Sequence, residues 1–91
     1  MNKHVFNDDF KDIVDDILKE NKTIEEWAEI ESDDMFQQGS YVGGFDGIEM
    51  EFCFSFFEDD GQEYWFQLSL EDIVKCSKGE ILSVEVMKPD Y

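Results

Sequence analysis

Residues 48–70 read IEMEFCFSFFEDDGQEYWFQLSL, and their spacing decides the fold. Ile48, Met50, Phe52, Phe54 and Phe56 fall on alternate positions, with Glu49, Glu51, Cys53 and Ser55 between them. Strict period-two alternation predicts a strand with one buried face. The polar stretch 58–63 follows, and its Asp60-Gly61 pair suits the positive φ of a turn. Tyr64, Phe66, Leu68 and Leu70 then alternate with Trp65, Gln67 and Ser69. The whole stretch predicts a long β-hairpin with one apolar and one acidic face.

Upstream, the period changes from two to 3.6. Asn7 is a good N-cap, and Asp8 and Asp9 favour the positive end of a helix dipole. Phe10, Ile13, Val14, Ile17 and Leu18 then form an apolar stripe that ends near Glu20-Asn21. Asp8, Asp12, Asp15 and Asp16 fall opposite that stripe. Asp8–Asp12 and Asp12–Asp16 are like-charge pairs at i, i+4, each costing a few tenths of a kcal/mol. Thr23-x-x-Glu26 is a capping box for a second helix, with Trp27, Ala28 and Ile30 apolar and Glu25, Glu26, Glu29 and Glu31 acidic. Ser32-Asp33-Asp34 ends it or caps a further turn holding Met35 and Phe36. The two helices read as an αα-hairpin on the apolar face of the sheet.

The glycine-bearing stretch 39–47 reads as a loop or a short edge strand around Tyr41-Val42. No Lys lies between Thr23 and Val74, so it lacks what a phosphate cradle needs. Downstream, Ser69 caps a short helix through Ile73-Val74 that stops at Lys78-Gly79. Residues 81–87 form a last strand with Leu82, Val84 and Val86 on one face, ended by Pro89. The expected fold is therefore one α+β domain over 1–91. It has an antiparallel sheet of three or four strands, two N-terminal helices on one face, and a short helix before the last strand.

Composition narrows the function. The 91 residues carry 24 acids against 7 bases, a formal charge of −17, and every base is Lys. Without Arg, and at this charge, direct contact with nucleic acid or an anionic membrane is disfavoured. Aromatics at 15% with clear periodicity argue against disorder, despite the acidity. The two cysteines, Cys53 and Cys76, lack paired-motif spacing and read as reduced thiols. The first residues lack an apolar h-region, and no run is long enough to span a bilayer. Cytoplasmic residence is the expectation, in a host cell if the chain is phage-encoded.

Reacting groups are scarce, and no enzyme, cofactor or metal is expected. His4, the one histidine, lies in the leading tail and reads as solvated, with no triad partner at a suggestive spacing. Asp59-Asp60 and Asp33-Asp34 lack the alternating ladder of a calcium loop. Cys53 lies among Glu49, Glu51 and Ser55, surroundings that keep a thiol protonated. Trp65 is either covered by a helix or the last strand, or an exposed anchor for a partner.

Charge distribution is the strongest feature. Between Thr23 and Val74 stand fifteen acids and not one base. An ordinary solvated surface mixes both signs. B-form DNA carries one negative charge per ~1.7 Å of axis, and carboxylates one helical turn apart are ~5–6 Å from each other. Rows of them approximate a strand of phosphates. The partner-binding candidates are Asp8, Asp12, Asp15, Asp16, Glu25, Glu26, Glu29, Asp33, Asp34, Asp59, Asp60 and Glu63. With Asp8-Asp9-x-x-Asp12-x-x-Asp15-Asp16 on a helix, this small arginine-free chain resembles the DNA-mimic proteins of phages, and within them the Arn-like anti-restriction group. The resemblance lies in length, charge and general character, and assigns no individual residue. It implies an inhibitor that occupies the DNA-binding site of a host restriction nuclease or another DNA-binding protein. The other reading is an immunity protein or antitoxin masking a basic nuclease toxin. A free edge beside Tyr41-Val42 or at the last strand would permit a symmetric homodimer that lengthens the acidic surface.

Overall fold

A computed structural model describes residues 2–29 and 35–88. Its first helix forms as the apolar spacing dictates. The Asn7 side chain accepts from the Phe10 N–H at 3.1 Å and starts α1 (Asp8–Lys19), whose Phe10, Ile13, Val14 and Ile17 are buried. Asn21, at φ 53°, turns the chain away. The Thr23–Glu26 capping box closes in both directions at 3.2 Å and starts α2 (Ile24–Glu29). Trp27 is the buried residue of this short helix. The expected extension through Ile30 to Asp34 lies outside the described residues.

Four strands follow in order across one antiparallel sheet: β2 (Met35–Gln38), β3 (Tyr41–Asp46), β4 (Glu51–Phe57) and β5 (Glu63–Leu68). The expected hairpin is β4–β5, with Phe52 opposite Leu68, Phe54 opposite Phe66 and Phe56 opposite Tyr64. Its turn closes through Gly61, at φ 83°, and through the Asp60 carboxylate, which accepts from the Gln62 N–H at 2.8 Å. The strand begins later than the alternation suggests. Asp46 accepts from the N–H groups of Ile48 and Glu49, and Met50 takes φ 60°, so residues 47–50 are a turn. Ile48 is consequently 92% exposed instead of buried, and Phe45 takes the inward place opposite Phe52.

Residues 41–46 are an inner strand, not a loop or an edge, because β2 pairs on their far side. Met35 and Phe36 belong to β2 and not to a helical turn. After β5, Ser69 accepts from the Asp72 N–H at 3.1 Å and starts α3 (Leu70–Ser77). The last strand, β6 (Ser83–Val86), pairs with a strand absent from the sequence reading, β1 (Asn2–Val5). The two-stranded β1–β6 ribbon joins the main sheet where Trp65 and Met87 exchange backbone bonds at 2.9 and 2.8 Å.

All three helices lie on one face. Phe10 of α1 meets Phe54 and Phe66, Trp27 of α2 meets Phe36, Phe45 and Phe52, and Ile73 of α3 joins the same core. The helix packed along α1 is α3, so α1 and α2 do not make the expected αα-hairpin. Among the described residues every buried side chain is apolar or aromatic. Gly43 allows the sheet to close under this core, since a Cβ there would overlap the Cys53 carbonyl oxygen and the Phe54 ring.

Two substitutions test this packing by denaturant unfolding. Phe54→Ala should cost about 3–5 kcal/mol, the usual loss for a fully buried Phe. Gly43→Ala should cost about 1–3 kcal/mol, because the carbonyl it meets is fixed in the β3–β4 ladder. A Gly43→Ala chain as stable as the parent would mean that Phe54 does not lie over the glycine.

Candidate functional site

On α1 the apolar stripe fixes where the acids point. With Phe10, Ile13, Val14 and Ile17 buried, Asp8, Asp12, Asp15 and Asp16 are all exposed along a helix ~18 Å long. Lys11 approaches Asp8 at 3.7 Å, a pair too exposed to contribute much. Asp16 stands in the last turn, where the helix dipole favours a cation. Asp9 instead leans inward, half-buried, against Gly39 in the β2–β3 turn.

The remaining candidates lie in separate places. Glu25, Glu26 and Glu29 are exposed on α2, although the Glu26 carboxylate is already engaged by the Thr23 N–H. Asp33 and Asp34 lie outside the described residues. The α2 end sits beside the β3–β4 turn, with the Ala28 carbonyl near Gly47. Asp59 and Asp60 occupy the β4–β5 turn at the other end of β4, ~20 Å away along the strand. There they share a shallow groove with Lys3 and His4, so bases approach this cluster. Glu63 projects from the sheet face that carries no helix, beside Phe57. The ten candidates among the described residues therefore form a row on α1, a patch on α2 and a turn cluster, with Glu63 on the opposite face.

Other features were not singled out in the sequence. Asp46 and Glu51 stand directly opposite each other on the same helix-free face as Glu63. Glu51 carried a signal, its outward place in the alternation, but Asp46 lay in a stretch read as a loop or a short edge strand and faces Glu51 only through strand register. An apolar groove of about 590 Å³ runs beside α1, floored by Phe6, Phe10 and Val14, with Lys11 and Asp15 among its lining.

His4 is not a solvated tail residue. Pairing of β1 with β6 carries it over the end of the sheet, where it is half-buried among Phe6, Tyr41 and Phe56. Its Nε2 hydrogen-bonds the Tyr41 hydroxyl, and its Nδ1 is 3.7 Å from Glu58. Burial pushes the Tyr41 hydroxyl up to about 12, so it stays a donor. Burial also lowers the His4 pKa, against the opposing pull of Glu58. The neutral ring then accepts at Nε2 and carries its proton on Nδ1, facing Glu58.

Both thiols are held above the ordinary cysteine range, and at Cys53 the main cause differs from the one read in sequence. Burial comes first in raising Cys53, followed by the charge of Asp46, not of Glu49 or Glu51. Cys76 is pushed up to about 11 by burial and by Asp72. Among the described residues no group of three or more His, Cys, Asp or Glu is placed to hold a metal ion, and no helix is long and apolar enough to cross a membrane.

No protein-family model, curated protein or solved structure matches the chain.

The His4 environment has a pH signature. Its folded pKa lies below the ordinary 6.5, so its contribution to stability is present above pH 6.5 and is lost as pH falls through the folded value. Melting temperature should drop more between pH 7.5 and pH 5.5 in the parent than in His4→Gln. Equal drops would show that His4 does not titrate against the fold.

Proposed function

We propose that this chain is a DNA-mimic inhibitor. It occupies the DNA-binding site of a basic protein, a host restriction nuclease or another DNA-binding protein, and acts by competition without chemistry. The observation that carries the reading is the exposed row Asp8, Asp12, Asp15 and Asp16 on α1. A helix shaped for stability alone would place Lys at some of these positions, above all in the last turn. The row is also held rigid, because its helix is fixed by four buried side chains. Charges ordered before binding lose less entropy when a partner arrives. A target that reads phosphate spacing meets the carboxylates already in position.

The second reading, an immunity protein or antitoxin masking a basic nuclease toxin, draws on the same charge. One observation favours it: Phe57, 60% exposed, and Trp65 lie on the helix-free face, and a mimic working by charge alone needs no such aromatics. Both readings place a basic protein as the partner.

A competition assay tests the proposal. A restriction nuclease or nucleoid protein bound to a labelled duplex should release it as the chain is added, and the effect should weaken steeply with added salt. Asp12, Asp15 and Asp16 replaced together by Asn should melt at the parent temperature or slightly higher, since two repulsive spacings are relieved. The variant should associate with its target about tenfold more slowly. Simultaneous binding of duplex and chain at one site, or an unchanged association rate in the variant, would refute mimicry through this helix.

A further inference from the structure

We infer that the helix-free face of the β2–β5 sheet is a second docking surface, and that its occupant is a basic protein. This goes beyond the α1 surface proposed above and does not depend on mimicry. Every described helix packs on the other side, so among the described residues no layer covers the outward side chains of the four strands. An uncovered sheet face in a small domain is ordinarily polar. Here Trp65, half-buried on the outer strand β5, lies between Phe57, 60% exposed on β4, and Met87, 43% exposed beyond β5. The backbone pairing of Trp65 with Met87 puts both on this face.

The flanks of the face select the partner. Asp46 and Glu51 are directly opposed across β3–β4, and Glu63 is opposed to Phe57 across β4–β5. Like charges directly opposite on one sheet face destabilise it, and none of the outward positions of β3, β4 and β5 carries a base. Glu63 beside the aromatics and Glu51 toward the far end of β4 complement an arginine-bearing surface, with Asp46 adding charge although its carboxylate already accepts from the Ile48 and Glu49 N–H groups. The guanidinium groups of such a surface can pair with the carboxylates and also lie on the Trp65 ring. A second copy of the chain is a poor occupant, because it would set one charge of −17 against another. Nucleic acid and anionic membranes are repelled in the same way. Four strands ~4.8 Å apart and ~20 Å long give a flat area of roughly 400 Å², about half of what each partner buries in a standard interface. The acidic flanks must therefore take part in binding.

An arginine-rich peptide is a direct probe, read by amide and indole chemical shifts of the chain. The expected shifts fall at Val42, Ser55, Trp65 and Gln67, and Trp65→Ser should weaken binding about tenfold, as for an aromatic anchor. Phe57→Ser provides a second variant at a more exposed position, with binding weakened and melting unchanged. The surface is refuted by shifts confined to α1, by no binding of the peptide, or by variants that bind like the parent. A concentration-dependent dimer abolished by Trp65→Ser would replace the basic occupant with a second copy and overturn the proposal. Running the Asp12, Asp15 and Asp16 to Asn variant in parallel separates the two surfaces. It should leave these shifts intact even if duplex competition fails.

Discussion

Phe10 meets Phe54 edge-on at 5.2 Å and Phe66 at 5.5 Å, and its other side stacks on Phe6 at 4.3 Å. This cluster ties α1 to the main sheet and the β1–β6 ribbon to α1. Phe54 lies over Gly43, which lets β3 run beneath it as an inner strand. Aromatic pairs of this kind contribute ~0.5–1.5 kcal/mol each beyond their buried area. The other core contacts extend the same arrangement: Tyr41 and Phe56 receive His4, while Phe45 and Phe52 receive Trp27. The positions of the exposed carboxylates follow from it. The acids on α1 face solvent because Phe10 faces the sheet.

Local patterns were legible from the sequence because their physics is local. The stripe of α1, the capping box of α2, the Ser69 cap of α3 and the alternating faces of the β4–β5 hairpin each depend on residues within a turn or a hairpin of one another. The misreadings concern distant partners. Strand β1 has four residues and no hairpin signal, since its partner β6 lies at the far end of the chain. Without that pairing His4 looks like a solvated tail. Strand β2 did carry a signal, the two-residue Gly39-Ser40 connection with φ 58° at the glycine, but Phe36 is its one clearly apolar inward position. Ile48 and Met50 continue the alternation in sequence, yet the Asp46 side chain captures the following N–H groups and turns the chain before the strand begins. In the candidate surface, the exposure of the α1 acids followed from helical periodicity. That Asp46 faces Glu51 did not, because the two meet only through strand register.

The chain thus sets a cohesive aromatic core against a surface that repels itself. Domains of this size are stable by ~5–15 kcal/mol, so a few tenths of a kcal/mol per like-charge pair, repeated along α1 and across Asp46–Glu51, is a noticeable fraction. The ion pairs of Lys11, Lys22 and Lys75 each use one nearby acid and leave the rows uncompensated. A surface that costs stability and is rigidly held is suited to a partner that supplies the missing positive charge.

Melting temperature against sodium chloride, from 10 to 150 mM, measures that cost most directly. The screening length falls from about 30 Å to about 8 Å over this range, so repulsion between rows fades while the core is unchanged. Stability should rise with salt, at about 4–8 °C for each kcal/mol of repulsion relieved. A melting temperature that stays level or falls would contradict the account, because the carboxylates would then cost the fold nothing.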